Sequence, residues 1–204
     1  MDRRTSQVQA LGAALLMACV SGTVAAQTFS NSNLILVKSS GPAEPYPSQI
    51  VVSGVGTSLT GLTVTLRSVG HTFPADLDIA LVGPTGAAIV LQSDCGGSAA
   101  MGKVTYTFSD SGMTLPPAAG GIAAGSYRPG DCEPGKEFAA LQAGPPVSTG
   151  GVATLGKVYG GTNPNGTWNL FVVDDSSGDS GIIQDGWSIT IESTPVELQK
   201  FTIE

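Results

Sequence analysis

Basic residues are scarce in this 204-residue chain, where nine Lys and Arg face sixteen Asp and Glu, and histidine occurs once, at His71. A nucleic-acid partner is excluded as improbable, because phosphates would be repelled by the net negative charge. The single histidine makes a zinc centre improbable. No apolar run is long enough for a membrane helix: Ala10 to Val20 is about half the roughly 20 residues that a span requires. Helical spacing of apolar residues is nearly absent as well, which removes helix-based fold classes.

What is present begins with an export signal. Arg3 and Arg4 place positive charge ahead of that short apolar run, and Val24-Ala25-Ala26 supplies small residues for cleavage. Residues 1–26 are therefore expected to leave, and the mature chain to begin at Gln27. A competing pattern, Leu16-Met17-Ala18-Cys19, resembles a lipoprotein box that would leave Cys19 lipidated, with Met17 a poor fit. Either route gives a secreted, periplasmic or surface-attached protein without a transmembrane segment. Cleavage at Gln27 leaves 178 residues, seven basic and fifteen acidic, for a net charge of −8. That length suits one domain with a sizeable core. Cys95 and Cys132 remain as an even pair in an oxidising compartment, and a disulfide between them is expected.

Alternation of apolar and polar residues recurs along the mature chain, as in Leu62-Thr63-Val64-Thr65-Leu66. Further strands are expected at Gln49 to Ser53, Leu77 to Val82, Ala88 to Gln92, Lys103 to Ser109, Val152 to Val158, Thr167 to Val173 and Ile183 to Glu192. Eight to ten short strands without intervening helices predict an all-β sandwich. The expected division is a lead over 27–48, the sandwich over 49–193 and a C-terminal tail over 194–204. The stretch from Asp110 to Gly151, rich in Gly, Pro and Ala, interrupts the rhythm. It is read as an ordered insertion tied down through Cys132, with a helical turn at Glu137 to Gln142.

Two sequences imitate protease motifs. Gly178-Asp179-Ser180-Gly181 resembles the nucleophile segment of chymotrypsin-like enzymes, with His71 and aspartates upstream, yet order alone supplies neither an oriented base nor an oxyanion hole. Gly56-Thr57-Ser58 starts like a subtilisin motif but continues Leu59-Thr60-Gly61, and is read as a turn. No G-x-S-x-G elbow, phosphate loop or dinucleotide fingerprint occurs. His71 is accordingly expected to be a hydrogen-bonded structural residue. Asn165-Gly166-Thr167 matches a glycosylation pattern and equally a tight turn before Trp168.

A longer set of motifs appears in order. His71-Thr72-Phe73-Pro74 leads into Asp76-Leu77-Asp78-Ile79-Ala80-Leu81 and Pro84-Thr85-Gly86; Phe108-Ser109-Asp110-Ser111 follows, then Leu155 to Gly161. The set ends with Gly166-Thr167-Trp168-Asn169-Leu170 through Asp174, Gly178-Asp179-Ser180-Gly181-Ile182, and Trp187-Ser188-Ile189. From about Ile50 to Ile191 this resembles the P domain, or P/Homo B domain, of kexin- and furin-like proprotein convertases. The departures are Tyr159 for Phe, Ile182 for Leu and the enlarged cysteine-bearing loop. The resemblance implies a jelly-roll β-sandwich that stabilises a subtilisin-type catalytic domain or serves secreted and surface proteins, without catalytic residues of its own. Trp168 and Trp187 lie in alternating strands and are expected to fill the space between two sheets.

The acidic residues are the main candidates for a site. Asp76 and Asp78 flank one strand start and Asp174, Asp175 and Asp179 follow another, with Asp110 placed to join them through the fold. Carboxylates gathered at one end repel unless a hard cation or hydrogen bonds neutralise them. Calcium is the natural cation for an exported protein, and the resemblance to bacterial P domains points the same way; turn capping by the aspartates is the alternative. The segment Asp174 to Asp185 is not an EF-hand loop, since Asp179 stands where glycine is needed. The expected function is a non-catalytic accessory or binding module whose partner is a subtilisin-type protease domain or a surface component. Alternatives are a component of a serine-protease system acting with a separate catalytic domain, and a carbohydrate-binding module using Tyr127 and Phe138.

Overall fold

A computed structural model describes residues 26–133 and 153–195. The first half of the described chain forms β1 (Gln27–Asn31), β2 (Ile35–Val37), β3 (Gly41–Pro42), β4 (Ser48–Val52), β5 (Leu59–His71), β6 (Leu77–Val82) and β7 (Ala88–Ser93). The remainder forms β8 (Met101–Ser109), β9 (Ser126–Tyr127), β10 (Gly130–Asp131), α1 (Leu155–Tyr159), β11 (Gly166–Asp174), β12 (Gly181–Ile183) and β13 (Trp187–Ser193). The all-β reading holds, and the strands make two sheets packed as a sandwich. The first sheet is ordered β1-β13-β5-β12-β2, with β8 and β9 on the other side of β5; the second is β10-β7-β6-β11, with β3 and β4 both on the outer side of β11.

Sequence alternation maps onto the pleat. Leu62, Val64, Leu66 and Val69 of β5 and Ile189 and Ile191 of β13 meet Leu77, Ile79 and Leu81 of β6 and Leu170 and Val172 of β11 in one buried core. Trp168 and Trp187 are both fully buried, and each indole N–H is used: Trp168 donates to the Pro164 carbonyl at 2.9 Å and Trp187 to Ser48 Oγ at 2.9 Å. Gly83 lets Tyr159 and Trp168 close over it, since a Cβ there would stand 2.9 Å from the Tyr159 ring.

Four expectations change. The lead over 27–48 belongs to the sandwich, because β1 pairs with β13, β2 with β12 and β3 with β11. The strand expected at Val152 to Val158 is instead the helix α1. Its apolar Leu155 and Tyr159 are four apart and buried, and its free N–H groups are taken by Thr154 Oγ1 and the Asp110 carboxylate. The strand expected from Ile183 to Glu192 divides into β12 and β13 around a turn at Gly186 (φ 65°). The insertion carries β9 and β10, which pair in parallel with β8 and β7. Glu137 to Gln142, Cys19 with the rest of residues 1–25, and most of the tail lie outside the described residues.

The Cys95–Cys132 disulfide forms as expected and pins β10 beside β7. It accords with an oxidising compartment. Among the described residues no helix is long and apolar enough to cross a membrane.

Candidate functional site

Two chain crossings share one end of the sandwich. After β5 the chain passes through a 3-10 turn, Pro74–Asp76, into β6 of the opposite sheet; after β11 the loop through Asp179 crosses back to β12. The crossings are stitched together, with Asp175 N–H donating to the Asp76 carbonyl at 3.0 Å and Thr72 N–H to the Ser180 carbonyl at 3.1 Å. This brings His71, Asp76, Asp78, Asp174, Asp175 and Asp179 to one end.

Strand register then separates them. Asp174 pairs with Leu77 and points, like Trp168, Leu170 and Val172, between the sheets; Asp78 pairs with Val173 and points to the other face of the second sheet. Between the sheets Asp174 meets His71. His71 Nε2 and Asp174 Oδ2 are 3.2 Å apart, with both side chains fully inaccessible, in an electrostatic contact that is not aligned as a hydrogen bond. Phe73 offers Nδ1 its carbonyl oxygen at 2.9 Å and its N–H at 3.2 Å. Ser176 N–H donates to Asp174 Oδ1 at 3.1 Å. Burial pushes the Asp174 carboxyl above its ordinary range, opposed by the Ser176 bond and by His71. Asp174 Oδ2 thus faces the imidazole between the sheets, away from Asp78 on the other face of the second sheet.

On the other face, Asp78 is 3% exposed and its Oδ1 has no hydrogen-bond partner. Burial raises its pKa to about 7, with Asp175 and Asp94 adding repulsion, while a hydrogen bond from Ser93 and one from the Asp94 backbone oppose the rise. Asp94 is the residue that sequence reasoning missed. It is buried and sits at positive φ (53°), just before Cys95 and Gly96-Gly97, a turn-forming run that marks the place. Asp76 lies in the 3-10 turn rather than in β6, so it does not share a face with Asp78 by strand alternation. Its carboxyl is raised by partial burial and by Asp174, Asp175 and Asp179. Asp179 accepts from Thr72 Oγ1 at 3.0 Å. Among the described residues no three His, Cys, Asp or Glu side chains stand together at metal-ligand spacing.

Asp110 does not join the others. It follows Ser109, which pairs with Thr63, whereas Met101 at the opposite end of β8 pairs with His71. Both Asp110 carboxylate oxygens are engaged at 2.7 Å by the N–H groups of Leu155 and Gly156. It is a helix cap.

The protease-like segment is built for packing. Gly181 pairs with His71 across the sheet, and a Cβ at Gly181 would stand 2.2 Å from His71 Cδ2. Ser180 donates its N–H to Thr72 Oγ1 at 3.0 Å. His71 directs Nε2 at Asp174 between the sheets and Nδ1 at the Phe73 backbone, and neither ring nitrogen makes a hydrogen bond to Ser180 among the described residues. A shallow groove of about 410 Å³ opens beside it, lined by Thr72, Met101, Lys103, Ser180 and Ile182. Gly56 of the subtilisin-like segment lies in the loop between β4 and β5, where its N–H donates to Ser193 Oγ at 2.9 Å. The Asn165 amide is spent on the Val55 backbone, donating at 3.0 Å and accepting at 3.2 Å, which leaves the sequon at that position a structural turn. Tyr127 packs edge-on against Tyr106 and its hydroxyl donates to the Ala123 carbonyl at 3.0 Å; Phe138 lies outside the described residues.

No protein-family model matches the chain, and no curated protein does either. Among solved structures, a crystal structure of Aeromonas sobria serine protease with a chaperone is similar at 16% identity and a TM-score of 0.40, covering 85% of this chain and 27% of that one. A second structure of Aeromonas sobria serine protease is similar at 13% identity and a TM-score of 0.38, covering 84% and 27%. The chain spans about a quarter of the length of those neighbours.

Two outcomes follow from the two buried carboxyls. His71→Ala strands the Asp174 carboxylate between the sheets without its imidazole, and denaturant unfolding should show a loss of about 3–5 kcal/mol. For Asp78 the folded pKa is raised from 3.8 to about 7, so its contribution to stability is present below the unfolded value and lost as pH rises through the folded one. In chelator, melting temperature should fall between about pH 4 and about pH 7. Asp78→Asn should flatten that slope and gain roughly 2–4 kcal/mol at the upper end, as judged by melts across the range.

Proposed function

We propose that the chain is an exported, non-catalytic accessory module of the P-domain kind, which docks beside a subtilisin-type catalytic domain or a surface component. The observation that carries this reading is where the motif residues fall. Asp110 caps α1, Gly181 packs on His71, His71 ties the two sheets through Asp174, and Trp168 fills the core. Each performs a structural task, and His71 faces Asp174 and the Phe73 backbone, with no hydrogen bond to Ser180 among the described residues. The export signal and the disulfide support an extracytoplasmic setting.

Calcium belongs to the same proposal. The buried, unpartnered Oδ1 of Asp78 is the feature that favours a cation, with Asp94 and Asp175 beside it. These three residues would hold the ion, after their carboxylates draw closer than they now stand, and carbonyl oxygens and water would complete its shell. Asp76 borders this set; Asp174, Asp179 and Asp110 are committed elsewhere. A bound cation would neutralise the repulsion that raises the Asp78 carboxyl.

Calorimetric titration of calcium into chelator-treated protein should give heat and a higher melting temperature, both lost in Asp78→Asn; no heat and no shift would remove the metal. Purified protein should leave casein intact. Cleavage that disappears in Ser180→Ala would overturn the non-catalytic reading.

A further inference from the structure

We propose that Gln27, once it is the first residue of the exported chain, closes on its own amine to form pyroglutamate. The inference rests on the export reading, because only cleavage after Ala26 makes Gln27 amino-terminal.

Gln27 is also the first residue of β1, opposite Ile191 of β13. The strand is held from the next residue onward. Thr28 and Thr190 share a hydroxyl hydrogen bond of 2.9 Å, Phe29 packs against the core, and the Asn31 amide donates to the Gln49 carbonyl at 3.0 Å. Gln27 itself is exposed, and its carboxamide makes no hydrogen bond among the described residues. The strand therefore keeps its place without help from this side chain, and solvent leaves room for a ring.

The chemistry needs only this residue. Glutamine places its γ-carboxamide carbon where attack by its own α-nitrogen closes a five-membered lactam. The α-amine has a pKa of about 8, so a useful fraction is neutral and nucleophilic in a near-neutral exterior. The nitrogen attacks the amide carbon, a carbon–nitrogen bond forms, the bond to the side-chain NH2 breaks, and the departing group takes a proton and leaves as ammonia. No oxidant or reductant enters. The product replaces a charged amine with a neutral lactam N–H, giving β1 a terminus closed to aminopeptidases.

The test uses the full chain, leader included, exported by a bacterial host, followed by intact mass and fragmentation of the amino-terminal peptide. The expected product starts at residue 27, is lighter by one ammonia, and resists stepwise amino-terminal degradation until treated with a pyroglutamyl peptidase. Gln27→Ser should be cut at the same place, carry its full mass and be open to degradation. A chain that starts at Gln27 and retains its full mass and free amine after prolonged incubation overturns the inference while leaving the export reading intact. So does an ammonia loss that maps to Asn165-Gly166 instead. A start at any other residue, a lipidated Cys19 included, defeats the cleavage assignment and the inference together.

Discussion

The sandwich depends on how its two sheets are joined at the end where the chain crosses between them twice. Hydrophobic contact holds the middle of the sheets but is non-directional, and does not by itself set their relative position at a polar rim. His71 at the end of β5 and Asp174 at the end of β11 supply a specific electrostatic contact across the gap, 3.2 Å between Nε2 and Oδ2. Both are fully buried, so either one alone would be a costly defect. The two-residue separation of His71 and Phe73 matters as well, because Phe73 fixes the ring from its Nδ1 side. Gly181 completes the arrangement: a side chain there would occupy the place of the imidazole.

That tie also sorts the acidic residues. Strand alternation sends Asp174 inward and Asp78 outward from the same sheet, and one ion cannot serve both. The end of the molecule is thus two environments back to back. One is a dry histidine–carboxylate contact; the other is a buried carboxyl with an unsatisfied oxygen, next to Asp94 and Asp175. Repulsion among them acts in opposite ways on function: it weakens the bare protein near neutral pH and gives a divalent cation something to neutralise.

The same economy explains why protease-like sequence fragments occur in a chain with structural uses for them. A Gly-x-Ser-Gly run is a good crossing loop, since glycine admits close approach and serine and aspartate bond neighbouring backbone. Thr72, Asp179 and Ser180 make such a set of bonds between the crossings. Nucleophilic chemistry asks in addition for a base aimed at the serine, whereas the buried His71 directs Nε2 at Asp174 and Nδ1 at Phe73.

Alternating apolar residues were enough to read the strand class and the approximate positions of β4 to β8 and β11, because the period of two reports which face of a strand is buried, and the even count of mature cysteines was enough for their pairing. Asp110 and Val152 to Val158 misled for a physical reason. A short helix with apolar residues at 155 and 159 also looks alternating over a few positions, and the aspartate that caps it lies 45 residues away in sequence. The acidic set was legible as a group, but its membership was not. Composition places carboxylates near a strand end, whereas register, the crossing turn at Pro74–Asp76 and the positive φ of Asp94 decide which face each one takes. Sequence alone determined that this chain is exported-looking, acidic and β-structured. Only the tertiary structure decided that its lone histidine is a buried tie between sheets, since that role requires a partner on another strand 103 residues further along.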